Sequence, residues 1–293
     1  GAYLIPGFID AHMHIESSLI TPRRFSEAVL PFGTTTVLAD PHEVANVAGI
    51  EGVRWMIAAA EGTALRIFQA IPSCVPATDG SIEWTRETFD ASAIEDLLRE
   101  PTVIALGEVM DYRSMLGGES RLPALVAAAR ARGMRLEGHI PTLSETELST
   151  YLAHGITSDH TLTHSRKLKE QLSKGVYVML QYKSLSSETV SEVMELPERS
   201  RIILVTDDIE PSLLRRGHLS MILDRAIDAG MPPIEAIASA TIRPAAYLGL
   251  NHLGGVAPGN EADFMLSSEL PKGENAPFSP EAVFVGGREV ARR

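Results

Sequence analysis

The sequence predicts an α/β protein built as a (β/α)8 TIM barrel, and three observations carry that expectation. Apolar, β-branched runs of strand length recur eight times. Segments of helical spacing follow them, several opening at Ser, Thr or Asp and stopping at Gly. Residues able to bind metals and move protons gather at the C-terminal ends of these runs, where barrels of this kind carry their chemistry. Alternation of strand and helix points to a parallel sheet. A doubly wound sheet fits the same alternation, but the count of eight and the regular spacing favour the closed barrel.

In chain order the expected strands are "LIPGFIDAHMHI" (4–15), "TTTVLAD" (34–40), "ALRIFQAIPS" (64–73) and "TVIALGEVM" (102–110). They continue with "MRLEGHIP" (134–141), "GITSDHTL" (155–162), "VYVMLQY" (176–182) and "RIILVTDD" (201–208). "RLPALVAAARARG" (121–133) and "SETELSTYLAHG" (144–155) are typical of the helical segments between them. Beyond residue 230, "PPIEAIASATIRPAAYLGL" reads as one or two more helices. "LGGVAPGNEADFML" and "EAVFVGGREV" then read as short antiparallel strands with Gly-rich turns. They are expected to be remnants of a small β-sandwich whose partner strands precede residue 4. The expected division is a barrel over 4–250 and a partial sandwich over 251–293 together with 1–3. The chain opens on Gly and runs almost directly into a strand, so its N-terminus reads as trimmed.

Composition narrows the function. A net charge of −12, from 26 basic and 38 acidic residues, argues against a nucleic-acid partner, which needs a basic face to displace counterions. A free nucleobase is not excluded. Cys74 is the only cysteine, so neither an intramolecular disulfide nor a cysteine-rich zinc site can form. A reducing, cytoplasmic location is expected. No apolar run reaches membrane-spanning length and no basic-then-apolar signal opens the chain, so no membrane partner is expected. The ten methionines read as core packing.

The first strand ends in His12 and His14, and side chains two apart in a strand project to the same side. Nine histidines in 293 residues give about 0.3 such pairs by chance, so the pair alone means little. The other strand ends add Asp40, His42 and Glu43, then Glu108, His139, Asp159 with His160, and Asp207 with Asp208. Even with Asp40, His42 and Glu43 set aside, four histidines and at least two carboxylates at matching heights on five strands are hard to obtain by chance. Imidazole with carboxylate suits Zn, Mn or Fe. Glu108 can bridge two ions that hold a hydroxide between them, and Asp207 can bind one ion and carry the proton. Asp40, His42 and Glu43 could instead cap a helix beginning near Asn46, the lesser of the two readings. Asp208 and His218 divide evenly between pocket and surface, while His154, His164 and His252 are expected to be solvated.

"PGFIDAHMHIESS", "GTTTVLADPHEVANVAG", "GEVMD", "EGHIPTLS", "GITSDHT" and "VTDD" together closely resemble the adenine deaminase family of the amidohydrolase superfamily. "GHLSMILDRAIDAGMPPIEAIASATIRPAAYLGL" and "LGGVAPGNEADF" extend the resemblance to about residue 290. The resemblance implies two divalent metal ions, with Mn or Fe favoured, held by His12, His14, Glu108, His139, His160 and Asp207. Glu108 would take the bridging place that a carboxylated lysine fills in many relatives, and Asp207 and Glu108 would be the catalytic carboxylates. It implies hydrolysis of adenine to hypoxanthine and ammonia, by attack of the metal-bridging hydroxide on C6. Asp40, His42 and Glu43 would touch the purine, with Glu16 and Asp208 as further pocket residues.

Departures from the family pattern bear on the substrate. Thr161 stands where "SDHE" is usual, Thr142 where Gly is usual, and Ile209 where Arg is usual. Members are also longer at both ends, and an incomplete sheet would expose apolar surface and favour a homodimer. One alternative is hydrolysis of another cyclic amide, amidine or purine-like heterocycle, where a pure ring amide would release no ammonia. A metal-binding fragment without catalysis is the alternative of another class. The cytidine-type mechanism needs paired cysteines and is excluded.

Overall fold

The run expected as one strand over 4–15 folds as two, β1 (Tyr3–Pro6) and β2 (Phe8–His14). They meet at Gly7, where an added Cβ would collide with the Thr35 side chain. That close approach lets the chain leave one sheet and enter another. The computed structural model describes residues 1–78, 82–117 and 121–293.

After β2 come β3 (Thr34–Ala39), β4 (Arg66–Ile71), β5 (Val103–Val109) and β6 (Arg135–Gly138). β7 (Ser158–Asp159), β8 (Tyr177–Leu180), β9 (Ile202–Leu204) and β10 (Asp207–Asp208) complete the parallel set. They form one sheet in the order β10-β2-β3-β4-β5-β6 and another in the order β7-β8-β9. β6 lies against β7 and β9 against β2, so the two sheets abut as a TIM-barrel-like α/β fold. Every residue of β2 and β3 is buried, as expected for parallel strands covered on both faces.

The strand expected over 201–208 is interrupted. Thr206 N–H turns to the Asp10 carboxylate at 3.3 Å. Asp207 then adopts a left-handed φ of 61°, a conformation that costs L-residues energy. The short β10 nevertheless pairs with β2, Asp207 opposite Met13, and so sits between His12 and His14.

Most crossovers are helical: α1 (Pro22–Val29), α2 (His42–Ala60), α3 (Tyr112–Gly117), α4 (Arg121–Ala131), α5 (Glu145–Ala153) and α6 (Ser165–Ser173). α7 (Ser187–Glu195), α8 (Pro211–Leu214), α9 (Leu219–Asp228), α10 (Pro233–Ser239) and α11 (Ile242–Leu248) follow. Capping fits the residue types: Thr21 accepts from Arg24 N–H ahead of Pro22, and Ser186 accepts from Thr189 N–H at 3.1 Å. Leu219, Leu223 and Ala226 of α9 pack on Val178, Ile202 and Leu204 of the barrel.

The segment after β4 departs from the pattern. Among its described residues there is only a short 3-10 turn, Leu97–Arg99. Pro72 and Pro76 interrupt the helical hydrogen-bond run. Asp90 folds back to accept from Ser92 and Ala93 N–H, a local turn that competes with helix.

The chain ends meet in a separate antiparallel sheet. β11 (Phe264–Ser267), β12 (Ala282–Val285) and β13 (Arg288–Arg292) join β1 in the order β1-β11-β12-β13. Tyr3–Pro6, read from the sequence as the start of a barrel strand, belongs to this sheet, because the Gly7 corner releases those residues from the barrel. The four strands make one layer, with Ile5, Met265 and Val283 packed toward Phe8 and Val178. Among the described residues no helix is long and apolar enough to cross a membrane.

Tight strand contacts position the site. A Cβ on Gly138 would strike the backbone carbonyl of Ser158, and one on Gly107 would strike the Asp40 carboxylate. Gly138→Ala is therefore expected to cost about 1–3 kcal/mol of stability by overpacking, measured by denaturant unfolding. An unchanged midpoint would mean that β6 and β7 are not held this close.

Candidate metal centre

The strand ends converge as their register requires. His12 and His14 share one face of β2, both buried. Glu108 comes from β5, His139 follows β6, His160 follows β7 and Asp207 opens β10. α2 begins at His42 rather than near Asn46, with Pro41 ahead of it and Glu43 in its first turn. The side chain of Asp40 does not cap that helix. It turns inward and accepts from Glu108 N–H at 3.2 Å.

Glu108 is the centre of the arrangement, and its two oxygens face different histidines. Oε1 lies 3.1 Å from His14 Nε2, 3.6 Å from His12 Nε2 and 3.6 Å from His42 Nδ1. Oε2 lies 2.6 Å from His139 Nδ1 and 3.1 Å from His160 Nε2. Asp207 Oδ1 is 3.5 Å from His14 Nε2 and 3.8 Å from His12 Nε2. His12 and His160 stack with ring centroids 3.8 Å apart.

The charges reflect this crowding. Burial alone would raise the Glu108 carboxyl, but His160 and the hydrogen bonds from His139 and His14 hold it well below the ordinary carboxylate range. Asp207 behaves alike: burial opposes ionisation, and His14, His160 and His12 override it. Burial and the neighbouring His160 together push the His12 imidazole down. His160 is moved the other way, since Glu108 outweighs burial and lifts it to about 9.

Orienting partners stand behind the donors, and most escaped the sequence reading. His12 Nδ1 meets Glu137 Oε2 at 3.3 Å and His14 Nδ1 donates to the Asp40 carbonyl at 2.8 Å, leaving both Nε2 atoms pointing into the centre. Glu137 is buried, and burial raises its carboxyl well above the usual range. Gln181 Nε2 donates to Asp207 Oδ2 at 2.7 Å. Thr206 Oγ1 donates to Asp10 Oδ2 at 2.6 Å, and burial raises the Asp10 carboxyl to about 7. His218 belongs neither to pocket nor to surface. It is fully buried, with Nδ1 3.0 Å from Thr34 Oγ1 and Nε2 3.6 Å from Asp10.

A cavity of about 490 Å³ opens above Glu108, a size suited to a small heterocycle. Of the five residues expected to touch a purine, His42 and Asp208 line it. Asp40 is spent on bracing Glu108. Glu43 Oε1 accepts from Ser17 Oγ at 3.1 Å, and the same hydroxyl reaches Asp208 Oδ1 at 2.5 Å. Glu16 lies beside Leu19, Ile20 and Trp55, and burial with the nearby Glu43 raises its carboxyl to about 8. Thr161 lines the cavity, but its hydroxyl is held by Asp159 at 2.9 Å and Lys167 at 2.5 Å. His164 and His252 are exposed, and His154 is half-buried.

This donor set suits a divalent cation. Among the described residues, His12–Glu108–His160, His12–His14–Asp207 and His14–His42–Glu108 each bring three donor atoms within 4.8 Å of one another. His12 Nε2 is buried with no hydrogen-bond partner, as a ligand atom would be. Mixed imidazole and carboxylate donors favour Zn, Mn or Fe over Ca or Mg. Cys74 takes no part, being buried with its thiol pushed up by burial.

The model of the amidohydrolase family matches residues 3–290. The adenine deaminase of Methanothermobacter thermautotrophicus is 40% identical over 290 residues, covering 99% of this chain and 52% of that protein. The adenine deaminase of Deinococcus radiodurans is 41% identical over 294 residues, covering 99% and 53%. The chain thus spans about half the length of the curated relatives it matches. Among solved structures, N-acetyl-D-glucosamine-6-phosphate deacetylase from Mycobacterium smegmatis aligns with a TM-score of 0.73 at 18% identity, covering 99% of this chain and 87% of that one. A crystal structure of an adenine deaminase aligns at 0.69 and 17%, again covering 99% and 87%. At such identities these two likenesses speak to the fold alone.

Proposed function

Because this chain belongs to the amidohydrolase family, we propose that it hydrolyses adenine to hypoxanthine and ammonia at a centre of two divalent cations. The observation that carries this reading is the central carboxylate whose two oxygens face two separate groups of histidines. The cations would be held by His12, His14, Glu108, His139, His160 and Asp207. When bound, they supply Lewis acidity that makes water a nucleophile near neutral pH.

The remaining chemistry belongs to the chain. Asp207, fixed by the hydrogen bond from Gln181, takes a proton as water adds to C6 and passes it to the exocyclic nitrogen. The addition leaves an electron pair on ring N1, which takes up the second proton of the water; the C6–N bond then breaks, ammonia leaves and the C6 carbonyl forms. His42 and Asp208, on the cavity wall, orient the base; Asp40 keeps Glu108 in place from behind. We assign Glu43 and Glu16 to the rim beyond Ser17, acting on the base through Asp208. We further take the barrel as 4–250 and the terminal sheet, with its strand at 3–6, as part of a β-sandwich.

The experiment is ammonia release from adenine by protein reconstituted with Mn. Turnover that requires the cation supports the reading, while fully loaded protein that releases no ammonia overturns it. A hydrolysed ring amide without ammonia would move the substrate to another heterocycle. Chelation should also destabilise the fold: at cation concentrations 100 times Kd, removal is expected to cost about 2.7 kcal/mol, seen as a lower Tm. An unshifted Tm would count against a cation in this site.

A further inference from the structure

Behind the site lies a buried ion pair that no step above uses. Asp159 and Lys167 are 1% and 8% exposed, and Lys167 Nζ is 2.8 Å from Asp159 Oδ2. The same carboxylate accepts from Ile140 N–H at 2.9 Å and from Thr161 N–H at 3.1 Å. Ile140 directly follows His139, and Thr161 directly follows His160. A single side chain therefore ties together the two loops whose histidines face Glu108 Oε2. Lys167 adds bonds to the Thr161 and Leu162 carbonyls, and Gln171, one helical turn on, donates to Asp159 Oδ2 at 2.8 Å. Helix α6 thereby anchors both loops through one carboxylate.

We propose that the Asp159–Lys167 pair is a positioning device that sets His139 and His160 against each other, and with them the cation position beside Glu108 Oε2. A buried carboxylate is retained at such a place only when paired and fully hydrogen-bonded, and this one is saturated. Both of its backbone donors lie one residue past a candidate ligand, which a pair serving the fold alone would not require. Thr161 fits the same account, since its hydroxyl completes the cluster and is not offered to substrate. The inference rests on the cation-binding reading above.

The test is cation binding by Lys167→Met, with Gln171→Met as a milder variant that keeps the ion pair. Mn dissociation constants and the visible spectrum of the Co-loaded protein are read well below the melting temperature. Lys167→Met is expected to weaken one of two cation sites by about 10–100-fold, the scale for lost orienting partners, and to alter the Co band of that site only. Gln171→Met is expected to move the same site in the same direction by less. Leu168→Ala, which opens the apolar core beneath α6 and removes no hydrogen bond to Asp159, should leave both constants unchanged. Unchanged binding in Lys167→Met and Gln171→Met overturns the proposal, as does equal weakening of both sites or an equal effect from Leu168→Ala. If the wild-type chain itself binds no cation, the cation-binding reading falls and this inference with it.

Discussion

Asp207→Asn is expected to lower kcat for ammonia release from adenine by about 10²–10⁴-fold, the range that positioned proton transfer contributes. Asparagine keeps the shape of the side chain and tolerates the left-handed backbone at φ 61°, so the fold should survive. Its amide can still meet Gln181, but it cannot take a proton from water and return it to the leaving nitrogen. Cation content measured alongside separates the two roles of this residue. Loaded protein with lost turnover assigns the proton step to Asp207, whereas loss of one cation makes it chiefly a ligand. Near-normal turnover would remove it from the chemistry altogether.

Glu137→Leu is expected to weaken cation binding by about 10–100-fold, with Glu137→Gln restoring much of it. The reason is the tautomer of His12. A cation at Nε2 would place the ring proton on Nδ1, where Glu137 Oε2 at 3.3 Å is positioned to accept it and to hold Nε2 toward Glu108 and Asp207. Leucine removes the acceptor, frees the ring to turn and places the proton on either nitrogen. Glutamine retains a carbonyl oxygen for the same bond. Titration with Mn followed by electron paramagnetic resonance measures the constants. Equal affinities in wild type and Glu137→Leu would mean that stacking on His160 alone fixes the ring.

Much of the site was legible because its donors are chemically distinctive residues set at strand ends. His12, His14, Glu108, His139, His160 and Asp207 all lie within one cluster around Glu108, as the strand register demands. The same i, i+2 rule that singled out His12 and His14 also points from His139 back to Glu137, and from His12 back to Asp10. Gln181, Ser17 and His218 carried no comparable signal, since their partners lie far away in sequence. The lack of an α-helix among the described residues after β4 goes with Pro72, Pro76 and the turn at Asp90, and the interruption at Thr206 with a hydrogen bond to Asp10. Periodicity cannot register either, because it reads apolar spacing and not the partners of a backbone N–H. Asp40 shows the opposite failure: its residue type suited a cap or a substrate contact, and only three-dimensional proximity gives it to Glu108.

The terminal sheet bears on how the chain acquires its structure. Tyr3 pairs with Ser267, and Pro6 with Phe264, so almost the whole barrel intervenes between partners. Closing so long a loop is entropically costly, and contacts of that separation form late. During synthesis, β1 emerges well before β11 and has no partner in its sheet until β11 leaves the ribosome, while β2, only one residue further on, can begin pairing with β3 at once. Gly7 therefore divides a segment that pairs with the next strand in sequence from one that waits for a distant strand, and hydrogen exchange should find β1 the less protected of the two strands.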